Sequence, residues 1–480
     1  MSSGTGIRQP GGMRSVEEHL QKVLGRIRPL PAFELQLLDA HGQRLAEDVY
    51  APRSVPLFDN SAMDGYAVRH IDVHGADERN PAVLTVSQDI AAGAGTPAEL
   101  EPGACARIMT GAPVPPGADA IVPVEWTDGW AAVGGGVGRG SGDGARGIAS
   151  SGGGVASGGS DDSEAETAIV RIFREPEQGM HIRRAGEDVK AGQLLLSAGT
   201  TLGARQIGLL AAVGIDRVAV RPSPRIVVIS TGAELVEPGI EPAPGQIPDA
   251  NGFTLTAAAR EAGATAFRVG VVADDVKSLL DTIEDQLIRA DLVVTTGGVS
   301  VGAYDVVKEA LRGLGTVEFG RVAMQPGMPQ GFGVVGQDEV PIFTLPGNPV
   351  SAYIGFELFV RPAIRTMLGY QDPAELNRPT ADAVCVEGFD SPEDRTQFMR
   401  GVVGTAGNGG RIEVRPTGGA GSHLMGGLAQ ANSLIVVPVG QTRVEPGELV
   451  RVILLTDEDE VGGEGGAKSG SGSVSGTEVR

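Results

Sequence analysis

Between residues 224 and 370, apolar runs bounded by glycine alternate with segments of helical periodicity, and this alternation constrains the fold more than any other feature. Continuous apolar strands are typical of parallel sheets that helices cover on both faces. We therefore predict a doubly wound α/β domain at the centre of the chain. Its strands are predicted at 225–230, 268–272, 291–296 and 341–345, and its helices near 252–262, 276–289, 304–312 and 349–368.

The regions on either side of this domain follow another pattern. Short β-prone stretches separated by turn residues occupy residues 42–126 and return after residue 375, so we expect β-rich domains on both sides. One helix is predicted near the N-terminus, because Ser15 and Glu18 form a capping-box pattern ahead of apolar residues at helical spacing.

A glycine- and serine-rich segment at residues 132–167 interrupts the first β-rich region. It holds few large apolar side chains, so burial cannot offset the entropy lost on ordering it, and we predict a disordered insertion. The alternative, a phosphate-binding loop, would need the pattern G-x-x-x-x-G-K-[ST], which is absent. Residues 1–13 and 458–480 are likewise predicted to be disordered.

Charge and cysteine content exclude several classes of function. The net charge of −21 argues against a general nucleic-acid binder and against electrostatic attachment to anionic lipid. Cys105 and Cys385 lie far apart and outside any C-x-x-C pattern, which argues against a disulfide framework and a cysteine zinc site. No apolar run is long enough for a membrane helix, and the N-terminus lacks a signal-peptide core, so we expect a soluble cytoplasmic protein.

Three predicted parallel strands run into unusual loops. These loops are residues 231–234 (TGAE), 297–302 (GGVSVG, followed by Asp305) and 346–351 (PGNPVS). The carboxyl ends of parallel strands meet at one edge of a sheet, where ligands bind, and glycine turns before helix N-termini suit anions. Each loop alone is explained by a tight turn, but three at one edge favour an anion pocket, and its acidic residues favour Mg²⁺. The GGVSVG segment lacks the G-x-G-x-x-G spacing of dinucleotide-binding loops.

Six segments stand out when they are taken together and in order. They are FDNSAMDGYAV (58–68), RIMTGAPVPPGADA (107–120), IRRAGED (182–188), STGAEL (230–235), GGVSVG (297–302) and LPGNPVSA (345–352). Together they resemble the MoeA family of molybdopterin molybdenumtransferases, which is related to the E domain of gephyrin. The resemblance covers about residues 15–456 apart from the insertion.

The resemblance implies an elongated homodimer with four domains in each chain. The implied reaction joins molybdate to adenylylated molybdopterin, gives molybdenum cofactor and AMP, and is assisted by Mg²⁺. A molybdopterin adenylyltransferase is a candidate partner. The implied domains are a linker and dimerisation domain (14–57 plus 181–222), a β-rich domain (58–180), a molybdopterin-binding domain (223–372) and a C-terminal β-barrel-like domain (373–457).

Functional residues are carried over from the family position by position. The resemblance implies Mg²⁺ binding by Asp305 and Glu234. The catalytic set it implies is Asp305, Glu234, Asp274, Asp64, Thr110 and Asp188. The substrate-binding set is Thr231, Gly232, Gly297, Gly298, Ser300, Gly347, Asn348, Ser351, Arg321, Gln325, Arg400 and Ser422. A purely structural alternative stays open for two of these residues. Asp188 could only pair with Arg183 or Arg184, and Asp64 could only stabilise its turn.

One segment departs from the family. Members often carry K-P-G-K-P before the last strand of the central domain, where the lysines would hold an oxyanion, whereas this chain has Gln325 and Met328 at those positions. An upstream lysine position is matched by Arg321, and Ser351 and Arg400 remain. Two further hypotheses follow. One is a molybdopterin-binding scaffold without catalysis, and the other is the adenylyltransferase that makes the substrate, whose single domain resembles residues 224–370.

Overall fold

The computed structural model describes residues 12–130, 168–273, 275–297, 306–312, 316–405 and 410–455. The predicted insertion at 132–167 and the predicted tail at 458–480 lie outside these ranges. Within the described ranges, no helix is long and apolar enough to span a membrane. Cys105 and Cys385 are both buried and unpaired, as predicted.

The N-terminal part combines a five-stranded sheet with three small sheets. The larger sheet has the order β8-β5-β7-β6-β9, and the small ones are β1-β12-β2, β11-β3 and β10-β4. Its elements are α1 (Val16–Leu24), β1 (Phe33–Gln36), β2 (Arg44–Leu45), β3 (Val49–Tyr50), β4 (Asn60–Ser61), β5 (Gly65–Val68), β6 (Ala82–Ile90), β7 (Ala104–Ile108), β8 (Ala120–Pro123), β9 (Ile169–Ile172), β10 (Ile182–Arg183), β11 (Leu194–Leu196), α2 (Ala204–Ala212) and β12 (Arg217–Arg221). Because β1 to β3 pair only with β11 and β12, residues far apart in sequence build one unit.

The chain on the two sides of residues 131–167 is already joined by backbone hydrogen bonds. The Asp128 N–H donates to the Arg171 carbonyl at 3.1 Å, and the Phe173 N–H donates to the Trp126 carbonyl at 2.9 Å. We expect deletion of residues 134–164 to leave the thermal unfolding cooperative, with a midpoint within a few degrees of the full chain, because these bonds survive. Calorimetry of both proteins checks this, and loss of a cooperative transition would contradict it.

The central domain contains one mixed six-stranded sheet. Its strands follow the order β16-β13-β17-β21-β20-β18; the first four are parallel, β20 runs antiparallel to them, and the edge strand β18 runs antiparallel to β20 and so in the same direction as the first four. Its elements are β13 (Arg225–Thr231), β14 (Leu235–Val236), β15 (Ile247–Pro248), α3 (Asn251–Glu261), β16 (Thr265–Val272), α4 (Val276–Leu287), β17 (Leu292–Thr296), α5 (Val306–Arg312), β18 (Glu318–Arg321), β19 (Met324–Gln325), β20 (Pro329–Val335), β21 (Val340–Leu345), α6 (Pro349–Gly355) and α7 (Arg361–Met367), with a π-helical turn (Phe356–Val360) between the last two.

Side chains of the parallel strands alternate between two apolar cores. Ile226 and Val228 pack in the core that contains α3, α6 and α7, whereas Val227 and Ile229 pack in the core that contains α4 and α5. Both faces of the sheet are therefore covered by helices, which explains the unbroken apolar runs of the sequence. The prediction of a doubly wound α/β domain between β-rich regions is confirmed, with the antiparallel strand β20 and the edge strand β18 as unpredicted additions.

The N-terminal helix α1 has the predicted capping box between Ser15 and Glu18. It packs on the central domain, since Val23 belongs to the same core as α7. Its amphipathic face packs against α7 and the π-helical turn before it. His19 on this helix is only 3% exposed and contacts the Phe359 ring edge-on at 4.7 Å between centroids.

Burial of His19 makes the stability of this helix contact depend on pH. Burial, followed by the nearby Arg14 charge, lowers the pKa of His19 from 6.5 to about 4. The unfolded chain then binds the proton more tightly, so stability falls as the pH drops from 6.5 towards 4, by at most about 3 kcal/mol. We expect His19→Gln to flatten the stability profile over this range, as measured by urea unfolding at several pH values. Exposed His41→Gln is the control, and an equal slope in all three proteins would contradict the prediction.

The C-terminal part forms a closed barrel. Strands β24, β25, β22, β28 and β26 pair in this order, and β26 returns to β24. The short strand β19 of the central region pairs with β24 and thus links the barrel to the central domain. The remaining elements are α8 (Pro373–Leu376), β22 (Thr380–Cys385), β23 (Phe389–Asp390), β24 (Thr396–Thr405), β25 (Ile412–Pro416), α9 (Met425–Gln430), β26 (Ser433–Val437), β27 (Arg443–Val444) and β28 (Leu449–Leu454).

Candidate functional site

The three strand-end loops meet at one edge of the central sheet. Gly297 has φ +100°, and a Cβ atom on it would lie 2.3 Å from the Thr231 carbonyl oxygen. A Cβ atom on Gly347 would lie 3.6 Å from the Gly297 Cα atom. The loops after β13, β17 and β21 are therefore in mutual contact, and glycine is required where they approach most closely.

Asn251, which the sequence analysis did not single out, joins two of these loops. Its Nδ2 atom donates to Thr296 Oγ1 at 2.9 Å and to the Gly347 carbonyl at 2.7 Å. The Thr296 hydroxyl in turn donates to the Pro346 carbonyl at 3.1 Å. Asn348 lies at the N-cap of α6 without a capping bond from its side chain. The first residue of α3 thus fixes the spacing of the β17 and β21 loops.

A buried carboxylate fixes the start of α3. Asp249 is 1% exposed, and its Oδ1 atom accepts from the Ser230 hydroxyl at 3.0 Å and the Gly252 N–H at 2.9 Å. Arg268 contacts its Oδ2 atom at 3.2 Å and also pairs with Glu237. The pKa of Glu237 is lowered, mainly by its hydrogen bond from Arg268. This network could have been suspected from an acidic residue just ahead of a predicted helix, but nothing in the sequence linked it to Arg268.

The predicted metal site is only partly within the described chain. Glu234 is exposed, and its carboxylate lies over Gly232, where an added Cβ atom would come within 2.7 Å of Oε2. Asp274, Gly298, Ser300 and Asp305 lie outside the described residues. Among the residues that are described, no group of three or more His, Cys, Asp or Glu is placed to hold a metal ion. Glu234 supplies one accessible oxygen ligand of the type that Mg²⁺ prefers.

A polar cavity of about 290 Å³ lies next to this edge, between the central domain and the barrel. A water molecule occupies about 30 Å³, so the cavity can hold a tetrahedral oxyanion together with several waters. Three of the predicted substrate-binding residues contribute to its lining: Gln325, Ser351 and Ser422. Met328 and Arg395, which were not predicted to bind substrate, also line it. The Arg395 guanidinium also makes two bonds to the Asp394 carboxylate, at 2.7 and 3.0 Å.

Two arginines predicted to bind substrate have other contacts. The buried Arg400 guanidinium donates to backbone carbonyls of the 418–424 loop, including Gly421 at 3.0 Å, and is not among the cavity-lining residues. Burial lowers the pKa of Arg400. Arg321 donates from Nε to the Met328 sulfur at 3.1 Å. Arg400 therefore shapes the loop that carries Ser422, and the positive charge of the cavity wall comes from Arg395.

The remaining predicted residues lie in the N-terminal part of the chain. Asp64 accepts from the Thr110 N–H at 2.7 Å and from its hydroxyl at 2.8 Å. These two bonds lower the pKa of Asp64, the backbone bond most strongly. Asp188 is exposed. Arg184 forms an ion pair with Asp59, at 2.6 Å. The proposed pairing of Asp188 with Arg184 is therefore not observed.

Comparison with known proteins gives one consistent result. Three family descriptions match: MoeA N-terminal region (domain I and II) at residues 14–214, probable molybdopterin binding domain at 227–366, and MoeA C-terminal region (domain IV) at 382–455. Molybdopterin molybdenumtransferase 2 of Mycobacterium tuberculosis is 42% identical over 451 residues, covering 92% of this chain and 100% of that protein. Molybdopterin molybdenumtransferase of Bacillus subtilis is 34% identical, covering 88% of this chain and 90% of that protein. The crystal structure of a molybdopterin biosynthesis MoeA protein from Pyrococcus horikoshii matches with a TM-score of 0.73 and 30% identity, covering 93% of this chain and 100% of that one.

Proposed function

We propose that this chain, which belongs to the MoeA family, uses adenylylated molybdopterin and molybdate as its substrates and releases AMP. Its role as a molybdopterin molybdenumtransferase in molybdenum cofactor biosynthesis follows from the family. One observation carries the finer proposal. The loop after β21 and the first turn of α6 contribute to both parts of the site, because Gly347 lies at the loop edge and Ser351 of α6 lines the oxyanion-sized cavity.

The two parts suit the two substrates. Glycine loops at the carboxyl ends of parallel strands suit the diphosphate of adenylylated molybdopterin. In the cavity, the Arg395 guanidinium, the Gln325 amide and the Ser351 and Ser422 hydroxyls are donors for the oxygens of molybdate. Cleavage of the phosphoanhydride consumes one water; AMP leaves with one phosphate, and molybdopterin keeps the other.

Charge develops on the phosphate oxygens as the anhydride bond breaks. A bound Mg²⁺ would supply neutralising charge there. Glu234, which lies within the described chain, and Asp305, by its match to the family, are our candidate ligands, and Asp274 is a further catalytic candidate. Among these, Asp305 is proposed to hold Mg²⁺ or to orient the attacking water.

We expect Asp305→Asn to reduce AMP release at least a hundredfold while the melting temperature stays nearly unchanged, because the amide keeps the volume but lacks the charge. AMP release is followed by chromatography across a Mg²⁺ titration. The control is Asp281→Asn, which changes an exposed carboxylate on α4. Equal turnover in Asp305→Asn and the control would remove Asp305 from the mechanism.

A homodimer would complete the site. The N-terminal part has its own sheets, and its turns carry Asp64, Thr110 and Asp188. We propose that these residues act in the cleft of a partner subunit. Asp64→Asn and Asp305→Asn should then each be inactive, while mixing the two proteins should restore at most about a quarter of the activity. Subunit exchange in the mixture is verified first. If the mixture then recovers no activity, the site is not shared between subunits.

One reconstitution assay with purified protein separates the proposed function from two other hypotheses. The absence of the K-P-G-K-P lysines favours the scaffold hypothesis, which predicts binding of molybdopterin without AMP release. The adenylyltransferase hypothesis predicts conversion of free molybdopterin by ATP. The insertase hypothesis predicts AMP release and cofactor formation together.

We further propose a cytoplasmic location, consistent with the two free buried thiols, and delivery of the substrate by a molybdopterin adenylyltransferase.

A further inference from the structure

The side-chain amide of Asn251 has only one orientation that fits its neighbours. The Gly347 carbonyl can only accept, and the Thr296 hydroxyl gives its hydrogen to the Pro346 carbonyl, so it too accepts from Asn251. Both contacts therefore require the NH₂ group. The Oδ1 atom must point elsewhere.

This Oδ1 atom is an acceptor without a partner in the described chain. Both hydrogen bonds of the Asn251 side chain are made by Nδ2. Asn251 is half-buried, and its Oδ1 atom is not fully buried, so solvent can reach this atom. Asp249 restrains the residue further, because it binds the next backbone N–H at 2.9 Å. A restrained, open acceptor therefore lies beside two of the three strand-end loops.

We infer that Asn251 is a substrate-recognition residue whose Oδ1 atom accepts a hydrogen bond from an N–H group of a nitrogen heterocycle. Ionised phosphate offers only acceptors and would be repelled by this oxygen, so the atom suits a part of the substrate that carries hydrogen-bond donors rather than the diphosphate. The inference rests on the proposed function, since adenylylated molybdopterin carries two such rings, the pterin and the adenine. Loss of one such bond to a ligand weakens binding by about five- to tenfold.

Variants can separate recognition from the structural clamp. Asn251→Ala removes the acceptor and both clamp bonds. Thr296→Val removes one of these clamp bonds and the bond from Thr296 to the Pro346 carbonyl, and it leaves the bond from Asn251 to Gly347 and the Oδ1 atom in place. Asn377→Ala is the matched control, because the Asn377 Nδ2 atom also donates to a backbone carbonyl, at 2.8 Å, but on α8. The melting temperature of each variant is measured first, and only folded variants are titrated.

The ligands are molybdopterin, AMP and inosine monophosphate, each titrated by calorimetry. Inosine monophosphate replaces the amino group of adenine by a carbonyl. If adenine is the partner, the natural chain prefers AMP over inosine monophosphate about five- to tenfold, and Asn251→Ala loses this preference. If the pterin is the partner, Asn251→Ala weakens molybdopterin by a similar factor and leaves AMP unchanged. In both cases Thr296→Val changes the affinity less than threefold.

Two results would overturn the inference. If Asn251→Ala binds AMP and molybdopterin as tightly as the natural chain, or if Thr296→Val loses as much as Asn251→Ala, the residue acts only as a clamp. The proposed function would survive either result. If the natural chain binds neither molybdopterin nor AMP, the proposed function fails and the inference with it.

Discussion

Gly297→Ala should inactivate the protein while leaving most of it folded. The added methyl group would lie 2.3 Å from the Thr231 carbonyl oxygen, and φ of +100° is unfavourable for alanine. The left-handed conformation costs about 1–2 kcal/mol and the overlap about 1–3 kcal/mol more. The Thr231 carbonyl belongs to strand β13, so the β17 loop must move away. A shift of about 1 Å at a reacting centre costs about a hundredfold in rate.

The matched control for this variant is Gly239→Ala. Gly239 also has positive φ, +92°, but a Cβ atom on it would meet no atom within 4 Å. This control carries the backbone cost without the overlap. We expect a modest loss of stability and full activity from Gly239→Ala, measured by thermal unfolding and AMP release. Equal activity of the two variants would show that the contact between the β13 and β17 loops does not matter for function.

Arg395→Met should weaken molybdate binding about ten- to a hundredfold. Arg395 is the cationic side chain among the described residues that line the cavity. A charge-assisted hydrogen bond contributes about 1.5–3 kcal/mol, which corresponds to this range of affinity. Part of the effect is Coulombic, so the difference between the two proteins should shrink at high salt. Isothermal titration with molybdate at two salt concentrations measures it.

Arg415→Met is the control for Arg395→Met, because it removes an exposed guanidinium that pairs with Glu387 on the barrel. Met328→Lys is informative in the same assay. Lysine there would replace the Met328 sulfur that Arg321 contacts at 3.1 Å, so repulsion between the two cations should limit any gain in affinity. If Arg395→Met binds molybdate like the control, the cavity is not the molybdate site.

The fold of the central domain was predictable because burial on both sheet faces leaves a strong signal. Ile226 and Val227 face opposite cores, and both must be apolar, so the strand reads as a continuous apolar run. The antiparallel strand β20 escaped prediction because its glycines, Gly331 and Gly333, break that run. Glycine is needed there because a Cβ atom on Gly333 would lie 2.5 Å from the Thr316 carbonyl oxygen.

The sequence predicted only the part of the candidate site that consists of loops at the ends of parallel strands. The meeting of Thr231, Gly297 and Gly347 follows from the parallel sheet. The contacts of Asn251 and Arg395 depend on how α3 and the barrel pack against those loops, and such contacts between distant segments leave no local pattern. The same reason explains Arg400, whose guanidinium binds the 418–424 loop.

We propose above all that this chain couples molybdate insertion to cleavage of adenylylated molybdopterin. The most direct measurement is a single-turnover reaction of the purified protein with adenylylated molybdopterin and Mg²⁺, with and without molybdate. AMP is quantified by chromatography, and molybdenum in the isolated cofactor by mass spectrometry. We predict one AMP for each molybdenum inserted and little AMP without molybdate. AMP release at the same rate without molybdate, or no AMP in either reaction, would contradict the account.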